Sequence, residues 1–245
     1  MKLISLCLLI IVSLILTIHL FPLENKETNK SITIADKLEP LSVDEPATSL
    51  QIPCIDDYFT ISSLSDYYGD TLQEKINLDS DIISYNELSY LEVLHYGFDG
   101  ETHQGELIVN KKVAEEVLQI FKELYEIQFP IEKMRVISHY NNSDEQSMAD
   151  NNTSAFNLRM ITNGHTPSNH AFGLAIDINP TINPYIYKNT VLPENAGEYI
   201  DRNQEVLGLI TADSDIYQIF KKYGWSWGGD WDTPKDYQHF EKTIN

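Results

Sequence analysis

The sequence predicts an α+β domain, a small antiparallel sheet flanked by helices. Three observations predict it: two segments with apolar residues at helical spacing, four short runs of strand character, and a polar stretch from Glu24 to about Pro53 that sets this domain apart from an apolar N-terminus. A chain of 245 residues suits one such domain with accessory segments.

The N-terminus comes first. Leu3 to Phe21 contains no Asp, Glu, Lys or Arg, and His19 and Cys7 are its only titratable groups. About twenty apolar residues span the hydrocarbon of a bilayer, whereas a cleavable signal has an apolar region of about 7–15 residues followed by small residues. No such small-residue site follows Phe21, Pro22 and Leu23. Residues 1–23 are therefore expected to be a signal anchor rather than a cleaved signal peptide, with Lys2 on the cytoplasmic side. Either way the remainder is exported: a single-pass membrane protein with an extracytoplasmic domain, or a secreted one if the segment is cut. Residues 24–54, which include Pro40 and Pro46 and lack a sustained apolar period, are expected to be a polar stalk.

Residues 55–245 form the expected globular domain. Asn110 is placed to cap a helix in which Val113, Val117, Ile120, Phe121 and Leu124 share a face, ending before Phe129 and Pro130. A second helix starts near Asp213 and Ser214, carries Ile216, Ile219, Phe220 and Tyr223 on one face, and stops at Gly224. The strand candidates are Glu106–Val109, Met134–Ser138, Gly173–Ile178 and Gln238–Glu241. The segments 141–152 and 180–203 are expected to be long polar loops, where binding residues commonly sit.

Composition narrows the function. The chain has 17 Lys+Arg against 37 Asp+Glu, a formal net charge of −20, and no basic cluster to neutralise phosphates, which excludes a nucleic-acid partner. Two cysteines, Cys7 and Cys54, provide neither a disulfide framework nor a thiolate cage. Any metal site must then use His and carboxylates. Cys54, alone in the exported part, is expected to be buried and inert, the alternative being a pair between chains.

The densest chemical signal runs from Ser168 to Asp177. On a strand, Leu174, Ile176 and Ile178 point into a core while Gly173, Ala175 and Asp177 point the other way, a face of two tiny residues and one carboxylate with room for an ion. His170, just before the strand, can reach back to the same point. Either residue alone would ordinarily be a turn former or a satisfied polar group. A second segment places Trp225, Trp227, Gly228, Gly229, Asp230 and Trp231 before an Asp236-x-x-His239 pair. Catalytic zinc takes three protein ligands and keeps a fourth position open, a set that His170, Asp177 and His239 supply. Asp236, three residues before a ligand, is placed to be the base beside it.

Together these residues resemble the zinc D-alanyl-D-alanine carboxypeptidases of the VanY type and the related L-alanyl-D-glutamate endopeptidases, in the superfamily that includes the hedgehog domain. The resemblance runs from about Asp144 to Lys242, with weaker likeness at His95–Gly100 and Gly105–Asn110. It implies one Zn2+ at the face of the sheet, held by His170, Asp177 and His239, with Asp236 as general base. The family's oxyanion-stabilising arginine falls at Asn141 here, within Ser138–Ser143, so Arg159 is expected to take its place. Ser154, Asn157 and Ser168 are candidates for holding peptide groups. Trp225, Trp227 and Trp231 are expected to pack the domain and wall the cleft, Asp230 to anchor a ligand from behind, and Glu241 to be structural; His165 is not needed as a ligand. The implied function is hydrolysis of D-alanyl-D-alanine, or another stem-peptide bond, in bacterial peptidoglycan by an enzyme expected to be monomeric and membrane-tethered. The alternative is a zinc-bearing module that binds wall peptide or a protein without cutting it.

Overall fold

From Thr60 the backbone builds a three-stranded antiparallel meander, β1 (Thr60–Ser63), β2 (Leu88–Tyr96) and β3 (Thr102–Asn110), with α1 (Leu64–Tyr68) and α2 (Leu72–Lys75) between its first two strands. The computed structural model describes residues 54–76, 78, 81–161 and 164–244; the expected anchor, nearly all of the stalk, and Cys7 lie outside them. β2, as long as β3 at nine residues, has no counterpart among the sequence candidates, and β3 extends well beyond Glu106–Val109. Both faces of this hairpin are covered, so the alternation of apolar and polar residues that marks a half-exposed strand is blurred. Leu91, Val93, Leu107 and Val109 meet the main core, while Leu88, Tyr90 and Ile108 meet a second cluster with Leu64, Ile76 and Phe156.

The helix predicted after β3 is α3 (Ala114–Glu126), and Val117, Ile120, Phe121 and Leu124 lie buried in the main core, each worth on the order of 1.5–3 kcal/mol. Its cap residue is Val113 rather than Asn110. Asn110 closes β3 instead: its side-chain amide donates to the Phe172 carbonyl and its oxygen accepts from the Lys112 N–H. That amide ties the hairpin to the turn carrying His170.

The next strand is shorter than predicted. β4 (Lys133–Met134) gives way to a 3-10 turn over Ile137–Tyr140, which Asn141 ends in the left-handed region at φ 53°. The expected polar loop after it contains α4 (Asp144–Ala149), capped by the Ser143 hydroxyl, before β5 (Asn152–Thr153) pairs parallel with β4. Six residues with Met148 as their buried apolar side chain carry too little period to announce a helix.

Beyond β6 (Ala175–Asp177), the other expected loop contains the hairpin β7 (Tyr185–Tyr187) and β8 (Thr190–Leu192). The predicted second helix is α5 (Asp215–Lys222), followed by Gly224 at φ 75°. The chain then forms β9 (Ser226–Trp227), β10 (Lys235–Asp236) and β11 (His239–Glu241). The fold is mixed α and β with small antiparallel sheets and few helices. Where the sequence predicts one sheet, three three-stranded sheets form: β1-β2-β3, β6-β11-β9 and β10-β7-β8. Leu174, Ile176 and Ile178 point into the main core as the alternation requires, beside Phe220, Trp225, Trp227 and Phe240. Cys54 is exposed, because the 3-10 turn it precedes, Ile55–Tyr58, buries none of its side chains.

Two expected outcomes follow from this packing. Gly173 sits at φ 64°, and a Cβ there would lie 2.5 Å from the Asn110 nitrogen. Gly173→Ala is expected to lose about 2–4 kcal/mol in urea denaturation, combining left-handed strain with overlap. His95 is buried, its Nδ1 lacks a hydrogen-bond partner, and its ring stacks on His103. Burial, then the charge of His103, lowers its pKa to about 4, with Asp99 and the Ile131 and Tyr96 backbone opposing. The unfolded chain takes up a proton near pH 6.5 and the folded one only near 4, so stability falls as pH drops through that window, by roughly 3 kcal/mol. Denaturation midpoints of His95→Phe are expected to fall less over the same range than those of the parent chain.

Candidate metal centre

His170 is delivered by a 3-10 turn, Asn169–Phe172. The Ser168 hydroxyl caps this turn by accepting the His170 N–H at 3.3 Å, and Gly173 ends it in the left-handed region. Asp177 ends β6, and the antiparallel register of β6 with β11 sets His239 directly opposite it, so the two side chains share a face. Ser154 fixes the strand end: its N–H donates to the Asp177 carbonyl at 3.1 Å, and the Asp177 N–H donates to the Ser154 carbonyl at 2.8 Å.

Three side-chain atoms converge as a result. His170 Nε2 lies 3.1 Å from Asp177 Oδ2, His239 Nδ1 lies 3.1 Å from Asp177 Oδ1, and the two nitrogens are 3.2 Å apart. All three residues are buried. The outer nitrogens settle the tautomers. His170 Nδ1 is 2.6 Å from the Ala155 carbonyl, and His239 Nε2 is 3.2 Å from Glu241 Oε2; both partners only accept, so both outer nitrogens carry protons. Glu241 Oε2 is itself held by the Asn169 side-chain amide at 2.6 Å. In the neutral rings the inner nitrogens then present lone pairs to a carboxylate, an arrangement that draws positive charge between them, a proton or a metal ion. Zinc bound to N and O at about 2.0–2.1 Å in a tetrahedron has ligand-to-ligand edges of about 3.3 Å, close to the spacing found, so the donor set fits this ion with a fourth position left over.

Electrostatics agree with the geometry. Burial opposes ionisation of Asp177, but the charges and hydrogen bonds of His170 and His239 outweigh it and hold the carboxyl far below its ordinary range. Burial likewise opposes charge on His239, yet the hydrogen bonds to Asp177 and Glu241 raise it to about 10. The pocket is thus built to hold positive charge at the inner nitrogens.

A cleft of about 640 Å³ opens beside these atoms, bordered by His239, Asp236, Gln238, Trp231, Tyr185 and Arg159. β10 pairs with β7 so that Asp236 stands opposite Tyr185. The two glycines of the Trp-Gly-Gly segment have a steric role, since a Cβ on Gly228 would lie 2.5 Å from the Asp236 carbonyl oxygen. Asp236 Oδ1 is buried without a hydrogen-bond partner. Burial pushes its carboxyl up to about 6, with His239 lowering it and Asp177 raising it.

The other predicted residues are distributed as follows. Arg159 borders the cleft, and its Nε lies 3.1 Å from Asp144 Oδ2 on α4. Asn141 is exposed and borders a separate groove near Tyr67 and Tyr68. Ser168 borders the cleft with its hydroxyl committed to the cap, Asn157 is buried and donates to Asp144 at 3.1 Å, and Ser154 serves Asp177 through its backbone. Trp225 and Trp227 lie in the core, Trp231 walls the cleft, and His165 is exposed. Asp230 pairs with the Tyr217 hydroxyl and Lys221 and contacts no candidate ligand, because its 3-10 turn directs it toward α5. Sequence reasoning missed the part played by Glu241. Two residues beyond His239 on a strand, it shares that residue's face, and the alternation rule alone could have found it.

Two buried imidazoles and a carboxylate, converging beside a cleft with an unpaired acid, define a candidate metallohydrolase centre. Residues 162–242 match a family model described as D-alanyl-D-alanine carboxypeptidase, so the resemblance to that peptidase superfamily holds over the segment containing all three converging residues and Asp236. No curated protein and no solved structure matches the chain.

Glu241 gives the centre its own test. Replacing Glu241 by Gln removes the charged acceptor behind His239, and zinc affinity measured against a chromophoric chelator is expected to fall 10–100-fold. An unchanged affinity would mean that Glu241 does not orient the ligand.

Proposed function

We propose that the chain is a zinc-dependent peptidase of the D-alanyl-D-alanine carboxypeptidase type that hydrolyses a stem-peptide bond of bacterial peptidoglycan, tethered to the membrane by its N-terminal segment and acting outside the cytoplasm as a monomer. The observation that carries this reading is the buried His170, Asp177 and His239 triad, whose His239 borders the same cleft as Asp236 with its unpaired carboxylate oxygen. The peptidase family match over residues 162–242 supports it.

His170 Nε2, an Asp177 oxygen and His239 Nδ1 would hold the zinc. When bound, zinc supplies Lewis acidity, lowering the pKa of water and polarising a carbonyl. Asp236 Oδ1 takes the proton from the attacking water and passes it to the departing amine nitrogen. A carboxyl near pH 6 suits both halves of that transfer, because it is ionised at neutral pH yet basic enough to accept a proton. Arg159 directs a guanidinium at the carbonyl oxygen as negative charge gathers there, and its pairing with Asp144 keeps it oriented. Trp231 and Tyr185 enclose the peptide and exclude water.

The test uses a defined pentapeptide stem with mass spectrometry of the products. The expected product is the tetrapeptide lacking one D-alanine. Asp236→Asn is expected to lower kcat by about 10²–10⁴-fold while retaining zinc, and chelation to abolish cleavage until zinc is restored. An internal cut would assign the endopeptidase instead. Binding without any cut would favour the non-hydrolysing module, and full activity after chelation would contradict the metal requirement.

A further inference from the structure

Five buried side-chain polar atoms among the described residues make no hydrogen bond; Arg159 Nε is ion-paired with Asp144 all the same, and two of the other four, Asp236 Oδ1 and Gln238 Oε1, belong to residues lining the same cleft. Native structures leave few such atoms unpaired, so their concentration beside the converging ligands points to a missing partner. Both are acceptors, which complements the N–H groups of a peptide.

Arg159 and Asp236 have roles in the reaction proposed above; Gln238 has none. Gln238 is 3% exposed, and its amide nitrogen donates to the Met148 sulfur at 3.6 Å. The Gln238 side chain also hydrogen-bonds the Asp236 carboxylate, so its amide nitrogen faces acceptors on both sides. The Gln238 backbone carbonyl accepts the Ile178 N–H at 3.0 Å, extending the β6–β11 ladder by one residue. The side chain is thereby anchored between Asp236 and His239 in sequence and fixed in relation to both. Nothing in the fold uses its oxygen.

We propose that Gln238 is a substrate-binding residue whose side-chain oxygen accepts a backbone N–H of the peptide next to the bond that is cut. The inference rests on the peptidase reading and deepens it by assigning a contact that orients the substrate chain.

The experiment measures binding of the pentapeptide stem by calorimetry to the zinc-loaded full chain carrying Asp236→Asn, with and without Gln238→Leu; Gln238→Met is the second variant should the first not fold. The dissociation constant is expected to rise about tenfold, the size of one hydrogen bond in a buried site. The thermal midpoint is expected to hold or rise, since an unpaired amide has been removed, and zinc affinity to stay unchanged. Peptides in which each backbone N–H in turn is replaced by an ester oxygen complete the cycle. One replacement is expected to weaken binding to the parent and to have no further effect in the Gln238 variant. Binding indifferent to Gln238, or ester replacements that weaken both proteins equally, would overturn the inference alone. Absence of both binding and cleavage by the parent chain would overturn the peptidase reading itself.

Discussion

Two imidazole nitrogens and a carboxylate brought within 3.1–3.2 Å of one another, with their outer nitrogens already committed as donors, form the constraint around which the rest of the domain is arranged. Three lone-pair donors repel at that spacing unless positive charge sits among them. The surrounding protein must therefore hold them in place against that repulsion. The β6–β11 register opposes Asp177 to His239, the Ser168 cap and the Gly173 turn aim His170, and the Ala155 carbonyl and Glu241 carboxylate fix the two rings. The β6–β11 pairing and the Ala155 contact join residues distant in sequence, whereas the Ser168 cap and the Glu241 contact are local.

That core explains why the hairpin of β2 and β3 belongs to the same argument as the site. Asn110 ends the hairpin and is joined to the His170 turn from both sides: its backbone N–H donates to the Gly173 carbonyl at 2.8 Å and its side chain donates to the Phe172 carbonyl at 2.9 Å. The hairpin in turn is pinned by α3 on one face and by the Leu64, Ile76 and Phe156 cluster on the other. The cleft is completed from a different direction. β10 and the β7–β8 hairpin bring Asp236 beside Tyr185, and the close approach of Gly228 leaves room for that strand. Asp177 and His239 thus arise from one sheet and the proposed base from another, while His170 comes from the 3-10 turn before β6.

The sequence made the inner site legible because its residues fall in two short segments whose spacing has a structural meaning. Alternation along Leu174 to Ile178 separates core from site, and the Asp236-x-x-His239 pair needs only a local turn. The helices α3 and α5 were equally readable, each having several buried positions at helical spacing. What lay beyond reach has a common cause. β2 is covered on both faces, α4 and the strands β7 to β10 are too short to carry a period, and the single predicted sheet therefore resolves into three three-stranded sheets and the β4–β5 pair. The outer contacts are long-range: Asn169 meets Glu241 across 72 residues, and Arg159 finds Asp144 only because a helix forms where a loop was expected. Cys54 departs from the general tendency of cysteine toward burial, since the 3-10 turn it precedes buries none of its side chains.

That one zinc ion is shared by His170 Nε2, Asp177 and His239 Nδ1 is tested most directly by anomalous scattering at the zinc edge from crystals grown with the metal. The prediction is a single strong peak about 2.0–2.2 Å from each of those three atoms, with His239 Nε2 still facing Glu241. A peak elsewhere, a ring of His239 turned to bind through Nε2, or an empty centre in crystals whose zinc is bound at other residues would contradict it.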